Sequence, residues 1–124
     1  MENLIIESTV QSPQVRFLLE GELYIEGISM PDNVNEFYTP LFEWASAYIS
    51  TNPSQINVTL FIDYLNTSST RVLIDFLRHL KSLCTTNTDL KIIWKFESDD
   101  DDMLELGEEI ELVSSSKFEY QAVD

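Results

Sequence analysis

The chain has 124 residues, 44% of them hydrophobic, including seven Phe, five Tyr and two Trp, enough for one compact domain with a packed interior. Only three Gly and four Pro exclude a collagen-like or low-complexity class, and no apolar run is long enough to span a bilayer as a helix. A formal net charge of −15 argues against duplex DNA, RNA or an anionic membrane as partner and steers the protein toward basic surfaces.

The N-terminus MENLIIESTV lacks the basic start and small-residue cleavage site of a signal peptide, so the expected compartment is the cytoplasm. Residues 1–12 carry no clear periodicity and are expected to form a loose N-terminal segment of a single domain spanning 1–124. Val15–Leu19 and Glu22–Ile28 are short, partly alternating apolar runs separated by Glu20-Gly21, which predicts a β-hairpin. Asp32 or Asn33 can then cap a helix over 34–50, with Phe37, Leu41, Trp44, Ala45 and Tyr48 on one stripe. Pro40 falls inside that pattern, so the helix either starts near Thr39 or is kinked.

Ile56–Leu65 reads as a central strand, with Ile56, Val58, Leu60, Ile62 and Tyr64 on one face. It stops at Asn66-Thr67-Ser68-Ser69-Thr70 and restarts as an amphipathic helix carrying Val72, Leu73, Phe76, Leu77, Leu80 and Leu83. Leu90–Phe96 is another strand, Met103 to Ile110 a short acidic helix weakened by Gly107, and Phe118–Val123 a last edge strand. The predicted order is β-β-α-β-α-β-α-β, a mixed sheet with helices packed against it.

The hydroxyl corner at 67–70 is the most informative feature. Hydroxyls at a helix start can cap it, with Thr67 or Ser68 accepting an N–H. The unpaired N–H groups and dipole there also tolerate a phosphoryl group, which makes the corner a place to be switched. Other candidates carry less. Asp99–Asp102 clusters carboxylates, but the fifth and sixth positions from Asp100 are Leu104 and Glu105, so the run fails a calcium-loop pattern and reads as a solvated helix start. Cys84, the single cysteine, lies in register with the apolar stripe of its helix and reads as a small hydrophobe. His79, the only histidine, has no nucleophile motif beside it. No metal or cofactor site is expected. The aromatics Tyr24, Phe37, Tyr38, Phe42, Trp44 and Trp94 are expected mostly in the core, with some in an interaction patch.

Several segments in order resemble the SiaC-like regulatory phosphoproteins of bacteria. They are Gly27-Ile28-Ser29-Met30-Pro31-Asp32-Asn33, then Phe37-Tyr38 and Trp44, then Tyr64-Leu65-Asn66-Thr67-Ser68-Ser69, then Trp94-Lys95-Phe96 and the acidic stretch ending Leu106-Gly107-Glu108-Glu109. The YLNTSS segment is the most specific; Met30 departs from the pattern at a position often held by an aromatic. The resemblance implies a STAS-like fold, similar to the anti-sigma-factor antagonists, which are phosphorylated on Ser/Thr at a strand-to-helix corner. It implies Thr67 as the phosphoacceptor, with Asn66, Ser68 and Ser69 shaping the corner and capping the helix, and Arg71 contributing to docking. A dedicated kinase and a PP2C-type phosphatase would control Thr67. The unmodified form would bind and activate a diguanylate cyclase in biofilm and aggregation signalling, without catalysis of its own. The alternatives are a constitutive scaffold in which the corner is only a cap, an anti-sigma-factor antagonist, and a small acidic enzyme.

Overall fold

In the computed structural model of residues 1–124, six strands form one sheet in chain order: β1 (Leu4–Ile6), β2 (Gln14–Phe17), β3 (Glu22–Ser29), β4 (Gln55–Leu65), β5 (Asp89–Glu97) and β6 (Phe118–Val123). β1, β2 and β3 pair antiparallel, whereas β3 to β6 pair parallel. Parallel neighbours need a crossover, and each is a helix: α1 (Val34–Ile49), α2 (Thr67–Leu83) and α3 (Asp101–Ser114). Right-handed crossovers that advance in one direction place successive helices on the same face. Consistently, α1 packs on α2 and α2 on α3. The mixed α/β class is as expected, and the order gains one strand over the expected one.

That strand is β1. A three-residue apolar run is too short to declare itself by alternation, and residues 1–12 were expected to be loose. Instead Leu4, Ile5 and Ile6 pair with Phe17, Arg16 and Val15. The indole Nε1 of Trp44 donates to the Glu2 carbonyl at 2.7 Å, and the Leu19 N–H donates to the Asn3 side chain at 2.8 Å. Contacts 42 and 16 residues away therefore hold this segment.

The core lies between the sheet and the helices. Val15, Phe17, Leu23, Ile25, Val58, Leu60, Phe76, Leu77, Ile92 and Trp94 belong to one continuous buried cluster. The opposite sheet face carries Arg16, Tyr24, Asn57, Phe61, Lys91 and Lys95, none of them fully buried. Helix α1 runs unbroken through Pro40, with Asn33 accepting the Glu36 N–H at 3.0 Å as its cap. Proline removes one intrahelical bond, and both Pro40 and Glu36, whose carbonyl loses its donor, are exposed. The expected Phe37 is half-buried, and the side chain turned fully inward is Tyr38.

Gly107 does not shorten α3, which is fourteen residues long. It is buried against the β5 Trp94 indole, whose Nε1 donates to the Met103 carbonyl at 3.1 Å. A Cβ at residue 107 would lie 2.5 Å from that Nε1, so glycine is what lets the helix approach the sheet. Alanine at an open helical position would stabilise by roughly 1 kcal/mol. Here Gly107→Ala should instead destabilise by about 1–3 kcal/mol, read as a lower urea midpoint at unchanged slope.

Candidate functional site

The site is the corner where β4 turns into α2. It begins with an irregularity in the β3–β4 ladder: Gly27 pairs with Ile62 but Ile28 pairs with Tyr64, so Asp63 is an extra residue on β4. Gly27 has φ 111°, a region open to glycine and strained for other residues. The extra residue reverses the alternation. Tyr64, expected on the buried face with Ile62, is 51% exposed, and Leu65 turns inward in its place. Met30 at the end of β3 is also exposed, so two large apolar side chains stand in the strand ends beside the corner.

The Asn66 N–H donates to the Ser29 carbonyl at 3.1 Å, tying the corner to β3. The helix cap is Asn66, whose side-chain oxygen accepts the Ser69 N–H at 2.8 Å. Neither Thr67 nor Ser68 takes the capping role expected of a hydroxyl there, because the preceding amide already fills it. Of the four hydroxyls, two are committed internally. Thr70 Oγ1 donates to the Asn66 carbonyl at 3.0 Å. Ser69 is fully buried and its Oγ accepts from Ser29 Oγ at 2.9 Å, while Ser29 Oγ lies 2.7 Å from the Tyr38 hydroxyl. A serine hydroxyl has one proton, so with Ser29 donating to Ser69, Tyr38 donates to Ser29. This buried chain joins α2, β3 and α1, and only the three-dimensional contacts disclose it.

Thr67 and Ser68 remain exposed at the first and second helical positions. Their N–H groups precede the first intrahelical bond, which the Thr70 N–H makes to the Asn66 carbonyl at 2.9 Å. Thr67, Arg71 and Arg78 line one side of an open groove of about 380 Å³, and Val113 of α3 lines it with them. Arg71 is one turn beyond Thr67 and exposed, so the expected acceptor and the expected docking cation share one face of α2.

The other candidates have structural roles. Asp100 caps α3 by accepting the Met103 N–H at 3.0 Å, and Asp101 and Asp102 occupy its first turn, favoured by the dipole. His79 is half-buried between helices, with Nε2 2.8 Å from Ser46 Oγ and its ring centroid 5.2 Å from that of Phe42. Cys84 ends α2, and burial pushes its thiol pKa up, away from reactivity. No helix is long and apolar enough to cross a membrane.

The family model for SiaC family regulatory phosphoproteins matches residues 6–123. A protein of Pseudomonas aeruginosa strain UCBPP-PA14 is 26% identical over 125 residues, spanning 100% of this chain and 99% of its own. Apo-SiaC from Pseudomonas aeruginosa matches with a TM-score of 0.87 at 27% identity, over 98% of this chain and 100% of that one. The crystal structure of the diguanylate cyclase SiaD in complex with its activator SiaC, from the same organism, matches at 0.88 and 25% identity, over 97% of this chain and 99% of that one.

Two outcomes follow from the corner. Asn66→Ala should cost about 1 kcal/mol in urea denaturation, whereas Ser68→Ala should stay within about 0.5 kcal/mol of the parent. Burial raises the Tyr38 phenol above its ordinary 10.0, the Ser29 contact offsetting part of the rise. An unfolded chain loses that proton near pH 10 while the folded one keeps it, so this contribution is complete below about pH 10 and declines above it. In urea titrations between about pH 9 and 11, stability should fall more steeply for the parent than for Tyr38→Phe.

Proposed function

The chain belongs to the SiaC family of regulatory phosphoproteins, and on that premise we propose that it is a non-catalytic partner-switching protein of the cytoplasm, controlled by reversible phosphorylation of Thr67. A cognate kinase adds the phosphate and a PP2C-type phosphatase removes it. The unmodified form binds and activates a diguanylate cyclase, as the name of the SiaD–SiaC complex says of its activator, and thereby influences biofilm formation and aggregation.

The observation that carries this reading is the division of labour among the hydroxyls. Asn66 caps the helix, Ser69 and Thr70 are spent on internal bonds, and of the two exposed hydroxyls, Thr67 and Ser68, Thr67 is the one on the groove beside Arg71. A capping role alone does not account for Thr67, which weighs against the constitutive scaffold. Exposed Tyr64 and Met30 supply apolar anchoring area beside the acceptor. A phosphothreonine carries nearly two negative charges and strong acceptor oxygens, costly to desolvate in an interface. Release then requires no change of fold.

Phosphopeptide mass spectrometry of protein from its native cells, with the phosphatase inhibited, should place phosphate on Thr67. In titrations with a diguanylate cyclase of the source organism, Thr67→Ala should bind within about threefold of the parent and Thr67→Glu at least about tenfold more weakly. Equal affinities for the two variants, with no modification in any growth state, would return the corner to a helix cap and leave the scaffold.

A further inference from the structure

The protein is strongly acidic, yet its seven Lys and Arg side chains are not scattered evenly. Three of them sit on the uncovered sheet face, and each is engaged there. Arg16 lies over the Tyr24 ring at 5.5 Å, Lys95 over the Phe61 ring at 5.1 Å, and Lys91 is 3.1 Å from Glu119. The other four, Arg71, Arg78, Lys81 and Lys117, line two open grooves along the α2–α3 side. The first groove begins at Thr67. The second, about 310 Å³, contains Lys81, Lys117 and Ser116, whose Oγ is buried without a hydrogen-bond partner. From Thr67 to Lys81 the helix rises about 21 Å, at roughly 1.5 Å per residue.

Three of these four cations have no carboxylate of the chain within 4.0 Å, and a single carboxylate, that of Asp75, lines the first groove with Arg71 and Arg78. Arg78 and Lys81 donate instead to the Val113 and Ser115 carbonyls at the end of α3, where cations satisfy unpaired carbonyls and oppose the dipole. The only carboxylate within 4.0 Å of any of them is Asp75, at that limit from Arg78. Arg71 has no ion pair at all, in a chain with twenty-two Asp and Glu. Beside it are half-buried Ile74 and Val113, the latter 44% exposed, with 79% exposed Leu112 preceding it. The surface is a basic track with apolar contacts on a molecule whose overall field repels anions.

We propose that the α2–α3 seam, from Thr67 to Lys117, is the docking face for an acidic segment of the protein partner, with Arg71 pairing to a carboxylate at the corner end. The proposal extends the regulatory reading and rests on it for its last step: a phosphate at Thr67 lies one turn from Arg71, so it takes that cation and sets a dianion where the acidic segment must lie. The unfavourable net charge makes the choice selective, because an acidic segment is repelled by the molecule as a whole and attracted along this track.

The test uses the full chain and the same diguanylate cyclase, with affinities measured at about 50 mM and about 300 mM salt. Arg71→Glu should weaken binding by about tenfold or more at low salt, Arg71→Lys by about threefold or less, and the parent should weaken as salt rises. Lys91→Glu, which changes net charge equally on the open sheet face, should bind like the parent. Binding by Arg71→Glu equal to the parent, or a loss as large in Lys91→Glu, would overturn the seam while leaving the regulatory reading intact. Failure of the parent to bind would instead count against that reading. A second arm then decides the seam alone: the isotope-labelled chain is titrated with a synthetic Glu-rich peptide of about fourteen residues, long enough to follow the α2 track. Amide shifts confined to α2 and residues 112–117 support the proposal; no shifts, or shifts on the sheet face, overturn it.

Discussion

Everything in this molecule depends on the parallel crossover, made three times in one direction. Each return from a strand end passes through a helix, and the repeated hand puts all three helices on one face. The consequences are physical rather than topological. One sheet face is buried under helices and supplies the core. The other must meet solvent, and it does so with aromatic rings under cations and with an ion pair instead of further helices. The helix starts gather along one edge, the carboxyl ends of the strands, which is where backbone N–H groups without intrahelical partners collect.

That edge is not uniform. At α1 and α3 the starts are filled by Asn33 and Asp100 acting as caps, followed by acidic first turns. At α2 the cap is also an amide, Asn66, but no acidic residue follows in the first turn; hydroxyls take that place. One of them is drawn into the interior by the Ser69–Ser29–Tyr38 chain, which bonds the corner to the strand before α1 and to α1 itself. Buried hydroxyls held this way are costly to disturb, because each would lose its only partners. The corner is therefore anchored from inside while its outer hydroxyls, those of Thr67 and Ser68, stay accessible. The surface around them is thereby fixed, in a chain that belongs to a regulatory phosphoprotein family.

The bulge at Asp63 extends the same theme to the apolar part of the surface. Without it, alternation along β4 would bury Tyr64 and expose Leu65. With it, an aromatic stands at the surface three residues before Thr67, and an aliphatic closes the core beneath. An exposed aromatic of this kind offers the contact area that protein interfaces favour.

The sequence by itself determined much of the architecture. The hairpin at 15–28, the stripes of α1 and α2, the strand at 90–96 and the last strand at 118–123 were all legible, because period-2 and period-3.6 patterns are imposed by burial on one side. The motif around Thr67 was legible for the same local reason, as a strand stop, an Asx/hydroxyl cluster and a helix start follow one another in the chain. What only the tertiary structure decided were features fixed by distant residues: the pairing of β1 through Trp44, the fit of Gly107 against Trp94, the outward turn of Tyr64, the burial of Ser69 against Ser29, and the meeting of the α2 cations with the end of α3. None of these leaves a periodic trace, since each depends on which side chains the crossovers bring into contact and on which hydrogen bonds are already taken.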